Sequence, residues 1–233
     1  MALCLLVVQG RLPRPDFILC ADTGREARST WDYLDTHTRS LLAMVGLHVD
    51  VVPHSLAAVD LYARDGQTLL PAYTATGALR TFCSTEWKAR VMQRWLRTQG
   101  VRGATSWVGF TLDERHRVTG HQDPPWYRSY PLIDLMLTRS DCERLLLDAG
   151  LPLPPKSSCF CCPFRTNVEW RHIRDLYPDQ WEEAIALDEE IRAADDRDGL
   201  YLHRSRVPLA RADIDTPERT QTEKQCGLGY CFL

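Results

Sequence analysis

The sequence holds no apolar run of the roughly 18 residues that a membrane-spanning helix needs. Residues 1–8 are apolar, but the run is short. It has neither a basic leader nor a small-residue cleavage site, which argues against a signal peptide. A cytoplasmic protein without a membrane partner is the expectation. Charge of one sign is also lacking. The 28 Lys and Arg stand against 31 Asp and Glu, for a formal net charge of −3. That excludes a global basic field of the kind that draws proteins to nucleic acid, and leaves room for a local basic groove. No internal repeat and no low-complexity segment is present. The histidines (His37, His48, His54, His116, His121, His172 and His203) never fall at the i, i+4 spacing of a helical metal pair, so each reads as a surface or core residue.

What is present in excess is cysteine. Nine cysteines in 233 residues are many, and in a cytosolic chain clustered cysteines point to metal or redox chemistry more than to disulfides. The odd count also argues against a closed disulfide framework. Cys4 and Cys20 lie in apolar runs and Cys142 lies on an expected helix, so these three read as core residues, because a free thiol packs like a small hydrophobe. Cys83, Cys159, Cys161, Cys162, Cys226 and Cys231 remain. The composition, 44% hydrophobic and 25% charged, is that of a globular chain. Its length suits one compact domain, or one domain with an extension.

Hydrophobic patterning alternates strand and helix through the first half. Residues 1–9 read as a helix with no N-cap. The apolar run 17–21 reads as a buried parallel strand that ends in Asp22-Thr23-Gly24. A helix over 27–45 follows, with Trp31, Leu34, Leu41, Leu42 and Val45 on one face, and then a strand over 47–51. Residues 55–82 read as loop. A helix over 86–98 carries Trp87, Val91 and Trp95 on one side. A strand over 106–110 ends near Asp113-Glu114. Such alternation implies right-handed crossovers and a parallel sheet, which takes its ligands at the carboxyl ends of the strands.

Beyond Gly120 the texture changes. A loop over 121–125 precedes Tyr130-Pro131-Leu132-Ile133-Asp134. A helix then starts near Thr138 or Ser140 and ends at Gly150, and two more run over 167–176 and 178–194. The acidic run Asp188-Glu189-Glu190 reads as a solvated helix face. The tail from Leu209 onward is polar and irregular.

Cys159 and Cys162 form a Cys-x-x-Cys pair inside Ser157-Ser158-Cys159-Phe160-Cys161-Cys162-Pro163-Phe164. That spacing lets two thiolates point at one centre, as zinc and iron–sulfur sites require. A redox dithiol and plain packing are the alternatives. Cys161 crowds the motif and weakens a thioredoxin-like reading. Two ligands do not complete a tetrahedral site, and Cys83, Cys226 and Cys231 are candidates for the rest.

Taken in order, these motifs resemble the phosphoadenosine-phosphosulfate (PAPS) reductase-like family of the PP-loop, or adenine nucleotide α-hydrolase, superfamily. The resemblance rests on Asp22-Thr23-Gly24, on Cys83-Ser84-Thr85-Glu86-Trp87-Lys88, and on Gly109 followed by Asp113, Glu114 and Arg117. It rests further on Tyr130 to Asp134, on Cys159 to Phe164, and on the tail with Cys226 and Cys231. It covers nearly the whole chain. Each motif alone is weak, and their order carries the likeness.

The resemblance implies an α/β fold: a HUP-type, Rossmann-like, doubly wound parallel sheet over 1–120, with a helical C-terminal region over 121–233 carrying the cysteine cluster. It implies ATP or another adenine nucleotide held by Asp22, Thr23, Gly24 and Gly109, with Arg80, Lys88 and Arg117 offsetting phosphate charge. It implies an iron–sulfur cluster of the [4Fe–4S] type, with zinc as the alternative, on Cys83, Cys159, Cys162 and either Cys226 or Cys231. The implied reaction adenylates a substrate oxygen, releases pyrophosphate and inserts sulfur, with a protein donor of sulfur or electrons. The candidates for catalysis are Asp22, Lys88, Cys161 and Cys226.

Reduction of an adenylyl sulfate is the alternative chemistry, for which Gln225-Cys226-Gly227 is faintly similar to the reductases' nucleophilic tail. The substrate class extends to tRNA or DNA, for which Trp126, Tyr127, Arg128 and Tyr130 combine rings and cations as stacking surfaces do. A homo-oligomer remains open. One departure stands out. The family's first strand and its Ser-Gly-Gly-x-x-Ser loop would precede Met1. Either the natural protein starts earlier, or the loop has been lost and the chain is a non-catalytic, metal-stabilised binding or assembly subunit.

Overall fold

The computed structural model describes residues 1–53, 69–79, 83–118, 120, 123–194 and 199–216. It is a mixed α/β structure. Helix α1 (Ala2–Val8) leads to strand β1 (Leu19–Ala21). Helix α2 (Arg28–Tyr33) continues through a π turn (Leu34–Thr38) into α3 (Arg39–Ala43). Strand β2 (Asp50–Val52) follows, and then the hairpin β3 (Tyr73–Thr74) and β4 (Gly77–Ala78). A π turn (Ser84–Ala89) opens α4 (Arg90–Thr98), which precedes β5 (Ala104–Trp107). Next come a 3-10 turn (Leu112–Arg117), β6 (Trp126–Ser129), α5 (Pro131–Asp134), α6 (Arg139–Asp148), α7 (Asn167–Leu176) and α8 (Pro178–Ala194).

The strands form two separate parallel pairs, β1 with β2 and β5 with β6, besides the antiparallel β3–β4 hairpin. A single doubly wound sheet is therefore not what the described residues form. Side chains on β1 alternate between two helical layers, as period-2 geometry dictates. Leu19 packs with Val52, Val91 and Trp95 on the α4 side. Cys20 packs with Leu34, Leu42, Cys4 and Val8 on the side of α1 and α3. A larger core joins the C-terminal helices to the cysteine turn, with Trp87, Phe160, Cys161, Trp170, Ile173 and Ile191 at its centre.

Helix starts follow local chemistry. Thr138 and Thr166 each accept a hydrogen bond from the backbone N–H three residues on. Asp141 and Glu169 reach back to the N–H of each cap, so two orphan donors are satisfied reciprocally. At Gly103 a Cβ would lie 2.7 Å from the Pro125 carbonyl, so β6 can enter beside β5 only past a glycine.

Two expectations need correction, and one element escaped the sequence reading. The latter is the strand Trp126–Ser129, hidden from periodicity because its four residues lack an apolar alternation. The loop expected over 55–82 contains β3 and β4. Asp188 does not lie on a solvated face, being 1% exposed. Its carboxylate pairs with Arg192 and accepts the N–H groups of Leu202 (2.8 Å) and Leu209 (2.9 Å). One turn of helix places Asp188 inward while Glu189 and Glu190 stay exposed. Arg80, Cys226, Cys231, His54 and His121 lie outside the described residues.

Candidate functional site: the cysteine turn at the end of β1

The chain leaves β1 through a turn that its own side chains build. Asp22 Oδ1 accepts the Gly24 N–H at 2.7 Å, and Thr23 Oγ1 accepts the Arg25 N–H at 3.2 Å. Gly24 sits at φ +67°, where a side chain would be strained. Residues 25–27 then dock the cysteine segment by main-chain pairing. The Ala27 N–H donates to Ser158 O (3.1 Å) and the Phe160 N–H donates to Arg25 O (2.8 Å). Glu26 thus stands opposite Cys159. The Cys162 N–H closes a tight turn onto Cys159 O at 3.0 Å, which puts both thiols of the pair on one bend.

Thr23 Oγ1 lies 3.6 Å from Cys159 Sγ. Cys83, at the head of the helix that carries Lys88, packs against the same apolar core as Cys159. It is near enough to Cys162 to push that thiol up electrostatically. Cys83 and Cys159 thus border the same apolar core. Among the described residues, no three His, Cys, Asp or Glu side chains are gathered in a metal-holding arrangement. The donor chemistry nonetheless fits a soft metal, because thiolates from a Cys-x-x-Cys bend and a neighbouring helix are what such centres use. Burial, followed by the nearby Glu26, pushes the Cys159 thiol up to about 12. Burial pushes Cys162 up to about 11. Cys161 is 0% exposed and lies in the core, where burial holds it a thiol.

Several polar groups that sequence reasoning missed support the turn. Glu26 is buried. It pairs with Lys88 at 3.4 Å and accepts from Ser157 Oγ at 3.1 Å. Gln180 of α8 donates to Glu26 O at 3.2 Å and accepts the Arg28 N–H at 2.9 Å, tying α8 to the start of α2. Arg165 is buried and its guanidinium donates to Ser158 O (3.1 Å) and Cys159 O (2.9 Å). None of these residues carries a sequence signal: Glu26 and Gln180 meet partners distant in the chain, and Arg165 folds back onto carbonyls six and seven residues earlier, a contact that no motif announces. A cavity of about 420 Å3 opens beside the turn, lined by Thr23, Gly24, Arg25, Phe160, Glu183 and Glu190, among others. The Arg25 guanidinium lies over the Trp87 ring at 5.5 Å.

The other expected nucleotide contacts fall elsewhere. Gly109 lines a second cavity, of about 330 Å3, with Met1, Thr111, Glu114 and Arg139. Arg117 pairs with Glu114 and lies over the Phe110 ring at 4.4 Å. The aromatic group around β6 also divides. Trp126 is buried under Arg97, Tyr127 is exposed, and Tyr130 stacks on Phe110.

No family model, no curated protein and no solved structure matches this chain. The family likeness accordingly rests on the motifs themselves. Among the described residues, no helix is long and apolar enough to cross a membrane.

Proposed function

We propose that this protein is a PAPS reductase-like, nucleotide-dependent sulfur-transfer enzyme whose Cys83, Cys159 and Cys162, with one tail cysteine, hold an iron–sulfur cluster. The observation that carries the reading is the contact between the Asp22-Thr23-Gly24 turn and the Cys-x-x-Cys bend, with Thr23 Oγ1 3.6 Å from Cys159 Sγ. It joins the end of a parallel strand, where α/β proteins bind ligands, to a thiol pair suited to metal. When bound, the cluster would supply sulfur-handling or redox chemistry, and zinc in the same place would be structural.

The chain's own residues have separable tasks. Thr23 and the backbone of 25–27 orient the cysteine bend. Arg165 holds its carbonyls, and the Trp87–Phe160 core keeps water from its inner side. Arg25 lines the cavity beside Gly24, where its charge would meet phosphate. Lys88 is committed to Glu26, so it acts from beneath the turn. The nucleotide expected at this turn is an ATP-like molecule. Adenylyl-sulfate reduction would depend on Cys226, which lies outside the described residues.

A second reading, a non-catalytic metal-stabilised binding or assembly subunit, is favoured by one observation. Lys88 and Arg117, two of the cations meant for phosphate, already pair with Glu26 and Glu114. Anaerobic purification followed by iron, zinc and acid-labile sulfide analysis, on the wild type and Cys162→Ala, separates the two. Iron with sulfide, lost in the variant, supports the enzyme. Zinc alone supports the subunit. Absence of any metal would sink both.

A further inference from the structure

The cavity beside the cysteine turn lies between two walls of different chemistry. The turn after β1 forms one of them, and α8 forms the other. Its volume of about 420 Å3 falls in the usual range of small-molecule sites, roughly 300–1,000 Å3. On α8, Glu183, Leu187 and Glu190 line it. They stand four and three residues apart, so they share one helical face. About 10 Å of helix axis separates the two glutamates. Both glutamates are exposed, while Leu187 between them is buried, as is Phe160. The α8 wall thus runs acid, apolar, acid.

The opposite wall offers little to a polyphosphate. Such groups are held by main-chain N–H donors at a turn or helix start. Here the Gly24 N–H is taken by Asp22 Oδ1 at 2.7 Å and the Arg25 N–H by Thr23 Oγ1 at 3.2 Å. The turn's own side chains therefore use the donors that a phosphate would need. The guanidinium of Arg25, set over the Trp87 ring at 5.5 Å, is the cation among the described lining residues. A planar fork of this kind matches one carboxylate or one phosphate group. Glu183 and Glu190 in the same cavity repel a polyanion and attract amines.

We infer that this cavity binds a small diamino acid, with its amines on Glu183 and Glu190, its methylene chain on Leu187 and Phe160, and its acid group on Arg25. The ligand's two cations and one anion mirror the two acids and one base of the lining. Glu183 and Glu190 are the specificity-determining residues. That such a ligand is the second substrate of a sulfur-transfer enzyme rests on the function proposed above. The binding itself requires neither metal nor nucleotide.

The test is calorimetric titration of the metal-free, nucleotide-free protein with ornithine. Saturable binding with a Kd on the order of 1 mM is expected, because the glutamates are exposed and screened. It should weaken when salt is raised from about 0.01 M to 1 M. Glu183→Gln and Glu190→Gln should each weaken it about 5-fold, and the pair about 25-fold. Exposed side chains are replaced in these variants, so thermal midpoints should stay unchanged. The wild type supplies a test that needs no variant. Putrescine, which lacks the acid group, and norvaline, which lacks the second amine, should each bind about 5-fold more weakly than ornithine.

Absence of saturable ornithine binding overturns the inference. So does equal affinity in the doubly substituted protein, or equal binding of putrescine and norvaline. Pyrophosphate binding that tightens in the Gln variants, without ornithine binding, would assign the cavity to a polyanion and also overturns it. Ornithine binding should persist in Cys162→Ala. A protein without metal would then sink the cluster and leave the cavity's ligand standing.

Discussion

The C-terminal helices with the cysteine turn, and the β5–β6 pair, are built on opposite economies of contact. Around α7 and α8, Trp170 and Cys161 are both 0% exposed, and the buried polar groups Glu26, Arg165 and Asp188 each find named partners. On β5, Thr105 and Ser106 are exposed although the strand is hydrogen-bonded to β6 along its length. Ladder bonds define the second region, and burial with polar satisfaction defines the first. Since apolar burial is the larger favourable contribution, the two regions should respond very differently to substitution.

The largest effect is expected at Trp170→Ala, which empties the centre of the C-terminal core. It should cost about 3–5 kcal/mol in urea unfolding, and a loss under 1 kcal/mol would show that this core is loose. Asp188→Ala should approach the same size, about 3–5 kcal/mol, because it strands Arg192 and two buried N–H groups. If Asp188 were the solvated residue that its acidic neighbours suggest, the change would be near zero. Arg165→Met keeps the bulk and removes the donors to Ser158 O and Cys159 O. A cost of about 1–3 kcal/mol is expected, together with faster alkylation of Cys159 and Cys162.

Stability of the metal-free protein should also depend on pH in the alkaline range. The Cys159 thiol ionises near 9.0 when unperturbed and is pushed up to about 12 in the fold. The folded state keeps its proton while the unfolded state loses it. Stability should hold below about pH 9, fall as pH rises toward 12, and level off above that. Urea midpoints across that window, compared with Cys159→Ser, read the effect. An equally steep fall in the variant would assign it to other groups. The smallest change is expected at Tyr127→Ala on β6, within about 0.5 kcal/mol. A larger loss would mean that the exposed face of this pair is covered in solution.

Much of the helix pattern was legible because it is local. The ranges 167–176 and 178–194 coincide with α7 and α8, since threonine caps, proline and apolar spacing all act within a few residues. The expected helix over 27–45 is present as α2, a π turn and α3. Strand ends were less legible. The expected strands over 47–51 and 106–110 lie at Asp50–Val52 and Ala104–Trp107, because a strand ends where its partner does. Cys159 and Cys162 could be read from spacing. Glu26 could not, because Lys88 and Ser157 are brought to it by the fold, and Arg165 could not, because its inward direction onto the Ser158 and Cys159 carbonyls is set by the packed turn. His203, read as a surface or core residue, is a core one, with Nε2 3.0 Å from Asn167 Oδ1 and Nδ1 accepting the Ser205 N–H at 3.2 Å.

The sequence alone determined most of the helices, the thiol-rich bend and the turn after β1, because capping, glycine conformation and Cys-x-x-Cys spacing are short-range properties. The tertiary structure alone decided that the described strands form two parallel pairs and one antiparallel hairpin, that Thr23 meets Cys159, that Lys88 is neutralised by Glu26, and that Asp188 is buried. These depend on which distant segments share a boundary, and burial, pairing and charge compensation are settled only when those boundaries form.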